Sequence, residues 1–346
     1  MIEKPLNIIM LGAGNIGCYL GGCLAKTGAN VTFVGRERMR QQLLTHGLAL
    51  SDWQGRDDFI ASELLNYSLS ISSLSMATLS NADYILVAVK SGDTQSLVGN
   101  ISKYVNPNTI IVSFQNGIRN GEILKQGLPN HQILTAMVPF NVLAKGDGKF
   151  HCGTEGNLAI EDKEGLAASL IHDFEAANLP VNVYDDLKPI QWSKLILNLN
   201  NSINALSGLP LKIQLSDRMY RKVLALSIKE ALKVLNRANI KTVKTGKVVV
   251  QLIPYILLLP NSLFEIVASS MIKIDPAARS SMYEDFMLGR YTEIDYLNGE
   301  IVDLAKHLNI PSPVNSAIMN LVKTAEKQSN GFPMISAKEL LNQIVG

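Results

Sequence analysis

A glycine-rich turn near the start of the chain is the feature that most constrains its fold. The run LNIIMLGAGNIG, residues 6–17, places an apolar strand-like segment before Gly12, Gly14 and Gly17, and a helical pattern follows. In this context the first glycine permits a tight turn, the second lets the backbone approach a pyrophosphate, and the third lets the helix pack closely on the sheet. The helix N-terminus adds N–H donors. The alternative is a strand–helix turn without a ligand. The residues predicted to bind a dinucleotide are Gly12, Ala13, Gly14, Asn15, Ile16 and Gly17.

Strand and helix patterns alternate through the first half of the chain. Helical patterns at 16–27, 37–46, 94–104 and 118–126 separate the apolar segments 6–11, 29–35, 83–89, 109–114 and 132–138. Such alternation is typical of a parallel sheet with helices on both faces. Later strands, ending with 181–186, look antiparallel or peripheral. We therefore expect an α/β fold with an N-terminal Rossmann-type, doubly wound sheet over residues 1–187.

From Leu187 onward the periodicity is helical almost throughout, which predicts an all-helical C-terminal domain over residues 188–346. A chain of 346 residues also exceeds the usual size of one core, so two domains are expected. The run 248–259 is ambiguous, and residues 328–346 include a short amphipathic tail. The predicted helices are 190–207, 216–238, 262–273, 281–289, 292–308 and 313–327.

Composition narrows the classes of partner. The net charge is +2 and no basic run reaches five residues, so neither a nucleic acid nor an anionic membrane is expected as a partner. The most apolar stretch, 248–260, is too short and too interrupted by Pro254 to span a bilayer. The three cysteines form no C-x-x-C pair, and no secretory signal precedes the first strand. We expect a cytoplasmic protein without a metal site.

The end of the second predicted strand discriminates between nicotinamide cofactors. NAD sites usually carry Asp or Glu there for the ribose hydroxyls, but this strand ends with Gly35 followed by Arg36. A guanidinium suits a dianionic 2′-phosphate through paired hydrogen bonds. The sequence therefore favours NADP over NAD. The alternative interpretation of Arg36 is a solvated turn residue without a ligand. Arg38 and Arg40 either assist it or are surface residues.

Two further strand ends carry polar side chains. Lys90 ends ILVAVK, and Asn116 follows the strand that ends in SFQ. Ligands of doubly wound sheets lie beyond the carboxyl ends of the strands, so both side chains are candidates for the nicotinamide end of the cofactor. A plain surface lysine and an Asn-Gly turn are the respective alternatives.

The run QWSKLILNLNNSIN, residues 191–204, has an unusual polar stripe. At about 100° per residue, a leucine-rich face lies opposite the polar residues, and Lys194 is the only charge between Pro189 and Leu211. Amides without competing charges suit the wall of a polar cleft, where an ammonium could protonate a carbonyl oxygen. A snorkelling lysine is the alternative. The stripe comprises Lys194, Asn198, Asn201, Ser202 and Asn204.

A second group of candidates lies in RSSMYEDFMLGRYTEIDYLNGEIV, residues 279–302. Ser280 and Ser281 fit a helix start, and Thr292-x-x-Asp295 fits a capping pattern. Glu293 then falls in the first turn, where an acid is favourable on dipole grounds alone. A carboxylate beside a cleft lysine would also keep that lysine protonated and could bind a substrate hydroxyl.

Taken together, these residues resemble the ketopantoate reductase (2-dehydropantoate 2-reductase) family over residues 6–327. The resemblance rests most on two segments, WSKLILN at 192–198 and SSMYEDFMLGRYTEIDYLNG at 280–299, because a glycine fingerprint matches many dehydrogenases. The other similar segments are GAGNIG at 12–17, VAVKSGDT at 87–94, SFQNG at 113–117 and KGDGKFHCGTEGNLAI at 145–160.

The resemblance implies reduction of the 2-oxo group of ketopantoate to pantoate by NADPH, on the route to pantothenate and coenzyme A. It also implies an NADP-binding Rossmann domain, a helical substrate and catalytic domain, and an active-site cleft between them. Lys194 would be the general acid, and Glu293 would hold the substrate hydroxyl or orient that lysine.

The resemblance extends to residues that would bind the substrate and the cofactor. Ser281 would bind the substrate carboxylate. The other implied positions are Asn116, Asn198 and Ser202 around the substrate, Lys90 and Asn116 beside the cofactor, and Arg36 at the 2′-phosphate.

Two departures keep other functions open. Ala278 and Ser202 stand where the family pattern leads us to expect asparagine, with Asn201 next to the second position. Another branched 2-oxo acid is therefore an alternative substrate.

Two further functions are alternatives to a 2-oxo acid reductase. The TEIDYLNG segment disfavours a β-hydroxyacid dehydrogenase, and the presence of Lys194 and Glu293 disfavours a non-catalytic NADP sensor. The expected partner is a small 2-oxo acid; a homodimer is an option, because the sequence does not determine the oligomeric state.

Overall fold

The computed structural model describes residues 4–244, 249–268, 278–328 and 333–345. The chain divides into two compact units, Met1–Leu187 (unit 1) and Lys188–Gly346 (unit 2). The cofactor and substrate roles assigned to these two parts of the chain stay predictions.

Unit 1 contains all of the strands found in the described residues. They are β1 (Asn7–Leu11), β2 (Asn30–Val34), β3 (Leu48–Asp52), β4 (Asp57–Ile60), β5 (Asn66–Ser68), β6 (Tyr84–Val87), β7 (Ile110–Ser113), β8 (Ile133–Met137), β9 (Val142–Gly146), β10 (Lys149–Cys152), β11 (Leu158–Glu161) and β12 (Val181–Tyr184). Its α-helices are α1 (Asn15–Lys26), α2 (Glu37–His46), α3 (Met76–Ser80), α4 (Thr94–Tyr104), α5 (Asn120–Gly127) and α6 (Ala168–Ala176).

The larger sheet has the strand order β12-β11-β8-β7-β6-β1-β2-β5. From β5 to β8 every neighbouring pair is parallel. Counting only the strands of this sheet, that part has the order third, second, first, fourth, fifth, sixth, which is the order of a Rossmann fold. At the far edge β11 runs antiparallel to β8 and pairs in parallel with β12. The predicted doubly wound α/β fold is confirmed.

Alternate residues of the central strand face two separate apolar cores. Ile8 and Met10 pack with residues of α1 and α6 on one face of the sheet. Ile9 and Leu11 pack with residues of α3, α4 and α5 on the other. Because both faces are buried, the strand reads as a continuous apolar run, and the carboxyl ends of β1, β2, β6 and β7 are brought to one edge.

A second, smaller sheet has the order β4-β3-β10-β9, and β9 and β10 form the glycine-rich hairpin that was expected to be peripheral. The strands β3, β4 and β5 were missed by the sequence analysis. They are only three to five residues long and carry several polar residues, so they lack the apolar runs that marked the other strands.

In its described residues, unit 2 consists of helices and connecting loops without a strand, as predicted. None of the helices in the described ranges combines the length and the apolar character needed to cross a membrane. Two short 3-10 helices, Val250–Leu252 and Ile294–Tyr296, accompany its α-helices. These are α7 (Lys188–Asn198), α8 (Asn200–Ser207), α9 (Leu211–Ser216), α10 (Arg218–Arg237), α11 (Ile253–Leu257), α12 (Asn261–Ala268), α13 (Ser281–Met287), α14 (Asn298–His307), α15 (Pro313–Lys327) and α16 (Ala337–Val345).

Two predicted helices are interrupted. The helix expected over 190–207 is two helices separated at Leu199, where three nearby asparagines lower the helix propensity. The helix expected over 292–308 starts as the 3-10 turn at 294–296, and α14 begins only at Asn298. In the predicted helix 262–273, α12 extends to Ala268, and residues 269–273 lie outside the described ranges.

Candidate active site

The glycine turn between β1 and α1 has the geometry that the sequence predicts. Gly12 has φ +103°, and a Cβ there would lie 2.5 Å from the backbone nitrogen of Val89. A Cβ on Gly17 would collide with the carbonyl oxygen of Gly12. Only glycine fits either position without a shift of the backbone.

Gly14 differs from the other two glycines because a Cβ built on it meets no atom within 4 Å. The open space lies at the N-terminus of α1, where the first N–H groups have no acceptor within the helix. The Asn15 side chain donates to the carbonyl oxygen of Val142 at 3.0 Å and so fixes the turn from β9. Ala13 is buried, and its backbone N–H donates to the carbonyl oxygen of Val34 at 3.0 Å. The N–H groups that begin α1 and the open space beside Gly14 suit a pyrophosphate.

At the end of β2, Gly35 is closely covered by other atoms. A Cβ at this position would lie 2.5 Å from Tyr67 Oη and 2.8 Å from the Cβ of Ala13. The Tyr67 hydroxyl donates to the carbonyl oxygen of Arg36 at 3.2 Å. Arg36 itself is exposed, and its Nη2 lies 4.0 Å from Oδ2 of Asp93. A cation is thus available at the strand end, and an acidic side chain is sterically excluded from position 35.

Lys90 and Asn116 follow β6 and β7 at the same edge of the sheet, and both are half-buried. A buried polar network lies behind them. Gln115 Nε2 donates to Thr94 Oγ1 at 2.7 Å, and that hydroxyl donates to Asn120 Oδ1 at 2.8 Å. Asn120 Nδ2 in turn donates to the carbonyl oxygen of Asn116 at 2.6 Å.

The network also includes the residue directly after Lys90. The Ser91 hydroxyl donates to the carbonyl oxygen of Asn116 at 3.0 Å and accepts from Asn120 Nδ2 at 3.0 Å. The two loops that carry Lys90 and Asn116 are therefore cross-linked by fully buried groups, which fixes their relative position.

In unit 2 the structure brings Lys194 and Glu293 together. Lys194 lies on α7 and Glu293 directly precedes the 3-10 turn at 294–296; both side chains are partly buried. Burial lowers the pKa of Lys194 to about 8, and the nearby Glu293 carboxylate acts in the opposite direction by raising it. An ammonium with a pKa close to neutral and a neighbouring carboxylate is an arrangement typical of a general acid.

The polar stripe around Lys194 has two kinds of member. Asn204 is fully buried, accepting from the N–H of Ser280 at 2.9 Å and donating to the carbonyl oxygen of Leu209 at 2.9 Å. Ser202 is also fully buried, and its hydroxyl donates to the carbonyl oxygen of Leu199 at 2.9 Å. These two residues support the local structure, and the predicted substrate contact of Ser202 stays a prediction.

Asn198 and Asn201 are half-buried, so they differ from the fully enclosed members of the stripe. Asn198 is the last residue of α7, one turn beyond Lys194. Ser281 is exposed as the first residue of α13, while Ser280 caps that helix by accepting from the N–H of Tyr283 at 3.2 Å. The substrate-binding roles of Asn198 and Ser281 stay predictions.

Tyr67, Thr94 and Asn120 were not predicted from the sequence. Asn120 lies four residues after Asn116, at the start of α5, so the SFQNG segment contained part of the signal. Thr94 ends the VAVKSGDT segment, but its partners are more than 20 residues away in sequence. Tyr67 lies on β5, a strand that was not predicted.

Comparisons with known proteins show the family to which the chain belongs. Residues 8–165 match the family model described as ketopantoate reductase PanE/ApbA, and residues 186–326 match the model for its C-terminal domain. A 2-dehydropantoate 2-reductase from Pyrobaculum aerophilum is 31% identical over 254 residues, which cover 71% of this chain and 78% of that protein. The chain belongs to the ketopantoate reductase family. The predicted resemblance is confirmed, and the chain is an oxidoreductase.

Solved structures include members of the same family. A ketopantoate reductase of the PanE/ApbA family from Ralstonia eutropha JMP134 has a TM-score of 0.77 and 28% identity, with 93% of this chain and 98% of that chain covered. A D-mandelate dehydrogenase solved with NADH and anilino(oxo)acetate has a TM-score of 0.73 and 21% identity, with 93% and 99% covered. At that identity the second likeness concerns the fold alone.

The glycine turn generates a first prediction, which separates folding from binding. Gly17→Ala should lower the free energy of unfolding by about 1–3 kcal/mol, because its methyl group collides with the Gly12 carbonyl. Gly14→Ala should unfold like the wild type, since φ −96° suits alanine and the methyl group meets no atom. It should nevertheless weaken the binding of NAD(P)H at least tenfold, which corresponds to about 1.4 kcal/mol. Urea unfolding and fluorescence titration with NADPH and NADH measure the two effects; unchanged affinity of Gly14→Ala for both cofactors would contradict the site.

The buried network generates a second prediction. Thr94→Val keeps the side-chain shape but leaves Gln115 Nε2 without one acceptor and Asn120 Oδ1 without its donor. The free energy of unfolding should fall by about 1–3 kcal/mol because buried polar groups lose their partners. Thr94→Ser keeps the hydroxyl and is the matched control. Equal urea midpoints for the Val and Ser variants would show that the hydroxyl is not needed.

Proposed function

We propose that this chain catalyses the NADPH-dependent reduction of 2-dehydropantoate (ketopantoate) to pantoate, a step of pantothenate and coenzyme A biosynthesis. The observation that carries the proposal is the Lys194 ammonium beside Glu293, in a chain of the ketopantoate reductase family. A reductase of this kind needs a proton donor for the developing alkoxide, and Lys194 has a pKa suited to that task.

Unit 1 would hold the cofactor. The turn from Gly12 to Gly17 would accept the pyrophosphate, Arg36 would pair with the 2′-phosphate, and Lys90 and Asn116 would lie at the nicotinamide end. The open space at Gly14 and the steric exclusion of a side chain at Gly35 support this assignment. NADPH, when bound, would supply a hydride to the carbonyl carbon.

Lys194 would supply the proton that completes the reduction. Its ammonium would donate a hydrogen bond to the substrate's carbonyl oxygen and transfer the proton as negative charge develops there, leaving a neutral amine and a hydroxyl group. With a pKa of about 8, Lys194 is mainly protonated at neutral pH but is a stronger acid than an ordinary lysine. Glu293 would keep the ammonium protonated and accept a hydrogen bond from the substrate's hydroxyl group.

The rest of unit 2 would recognise the substrate. Ser281 would bind the carboxylate, and the Asn198 amide would line the site. Ser202 would contribute only its remaining hydrogen-bonding capacity, since its hydroxyl already donates to Leu199.

A second candidate function is reduction of another branched 2-oxo acid. Two observations favour it: the Ser202 hydroxyl is already engaged, and Ala278 has no hydrogen-bonding side chain where asparagine was expected. Both would leave fewer groups for the ketopantoate hydroxyl. NADPH oxidation followed with ketopantoate and with a panel of 2-oxo acids distinguishes the candidates by kcat/KM; equal or higher kcat/KM with an acid that lacks the hydroxyl would overturn the ketopantoate assignment.

The proton-donor role generates a third prediction. Lys194→Ala should lower kcat by about two to four orders of magnitude, the usual contribution of a general acid, while NADPH still binds. Lys212→Ala, an exposed lysine of α9, is the matched control. Wild-type turnover in Lys194→Ala would refute the role of the lysine.

The pH profile generates a fourth prediction. Activity needs the protonated form of Lys194, so kcat/KM in the wild type should be level below pH 8 and fall above it. Glu293 raises the pKa of Lys194, so Glu293→Gln should move the alkaline limb to lower pH. A limb that stays in place, or that moves to higher pH, would show that the two groups are not coupled during catalysis.

The cofactor assignment generates a fifth prediction. Arg36→Ala should raise the KM for NADPH about tenfold to a hundredfold, corresponding to about 1.5–3 kcal/mol for hydrogen bonds to a charged group. The KM for NADH should change little. Lys103→Ala removes an exposed positive charge elsewhere in unit 1 and is the control for a general charge effect. Equal effects of Arg36→Ala on both cofactors would exclude the 2′-phosphate contact.

A further inference from the structure

The backbone around Glu293 is held by a single carboxylate that belongs to α15. Glu326 Oε1 accepts from the backbone N–H of Thr292 at 2.8 Å and from its hydroxyl at 2.7 Å. The same hydroxyl accepts from the N–H of Ile294 at 3.2 Å. The residues before and after Glu293 are thus both connected to one oxygen of Glu326.

The segment that follows is attached to the same helix. Lys323, one turn before Glu326, forms an ion pair with Asp295. Asn298 Nδ2 donates to Asn315 Oδ1 at 2.9 Å, close to the start of α15. The helix therefore contacts the segment 292–298 at three points along its length.

The start of α15 is itself anchored to α10. Glu230 accepts from the backbone N–H of Asn315 and from its side chain, both at 2.8 Å. The Ser227 hydroxyl donates to Asn315 Oδ1 at 2.8 Å, and both Asn315 and Ser227 are fully buried. A helix fixed in this way provides a rigid base for the turn.

Glu326 lies at a position where it does not stabilise its own helix, α15. It lies in the last turn of the helix, where the dipole disfavours a negative charge. Two charge-assisted hydrogen bonds to Thr292 offset that cost. A neutral or basic residue at this position would suit the helix end better, so the glutamate is explained by its contacts with Thr292.

We infer that Glu326 is a positioning residue, which holds the Thr292–Ile294 backbone so that the Glu293 carboxylate stays beside the Lys194 ammonium. The inference rests on the proposed role of Lys194 as proton donor. A Coulomb interaction falls with distance, so a looser turn would weaken the influence of Glu293 on the lysine. Glu326 contacts neither substrate nor cofactor in this role and acts through the turn.

Four variants test the inference. Glu326→Ala removes both hydrogen bonds to Thr292, whereas Glu326→Gln keeps an oxygen that can accept them but loses the charge. Thr292→Val removes the hydroxyl relay to Ile294 while keeping the backbone donor. Thr324→Ala, an exposed position on the same helix, is the control.

The readouts are the alkaline limb of kcat and a direct NMR titration of the Lys194 side chain, with Glu293→Gln as the benchmark. In Glu326→Ala, Lys194 should titrate at lower pH, towards its value in Glu293→Gln, and kcat should fall about tenfold to a hundredfold, as expected for misplaced catalytic groups. Thr292→Val should show a smaller shift in the same direction. Glu326→Gln and Thr324→Ala should titrate and turn over like the wild type.

Two outcomes overturn the inference. Wild-type titration of Lys194 in folded Glu326→Ala, or in Thr292→Val if the first variant does not fold, excludes positioning through the turn. Equal shifts in Glu326→Gln and Glu326→Ala show that the charge of Glu326 acts directly. The NMR titration needs no substrate, so it separates this inference from the proposed function, which fails instead if wild-type protein reduces no 2-oxo acid.

Discussion

The proposed site in unit 2 depends on the interaction of the partly buried Lys194 ammonium with the Glu293 carboxylate. Removing Lys194 from water disfavours its charged form, and the neighbouring Glu293 carboxylate opposes that effect. The balance between the two depends on distance, so the backbone that carries Glu293 has to be fixed. Thr292 is hydrogen-bonded to α15, and Asn315 of α15 is hydrogen-bonded to α10. The packing of these two helices therefore contributes to the position of the Glu293 backbone.

Unit 1 meets a comparable need with uncharged groups. Lys90 and Asn116 lie on loops after neighbouring strands, and parallel strands alone do not fix the loops beyond their ends. The buried hydroxyl of Thr94 and the amide of Asn120 link the two loops from behind. In both units, polar residues behind the candidate ligand-binding side chains connect the segments that carry them.

Periodicity was sufficient to predict the main architecture, because buried strands and amphipathic helices have distinct repeats. Periodicity did not predict most of the residues that position the candidate site residues. Glu326 and Thr292, for example, are 34 residues apart in the sequence, and their residue types are those of ordinary surface positions. A helical projection also assumes an uninterrupted helix, and the break at Leu199 invalidates it for the second half of the stripe. Asn204 therefore looked like a cleft residue although it holds Ser280 and Leu209.

The absence of a side chain at Gly35 bears on the proposed preference for NADPH over NADH. A carboxylate at this position is the usual feature of an NAD site, but here Tyr67 Oη and the Cβ of Ala13 occupy the space that its Cβ would need. Tyr67 belongs to β5 and is held by the carbonyl oxygen of Arg36, the residue proposed to pair with the 2′-phosphate. Under the proposed preference for NADPH, a change from glycine to aspartate alone would displace Tyr67 and disturb Arg36 as well. The proposed cofactor preference would then depend on how closely Tyr67 and Ala13 cover Gly35, and a switch to NADH would require a change at Tyr67 as well as at Gly35.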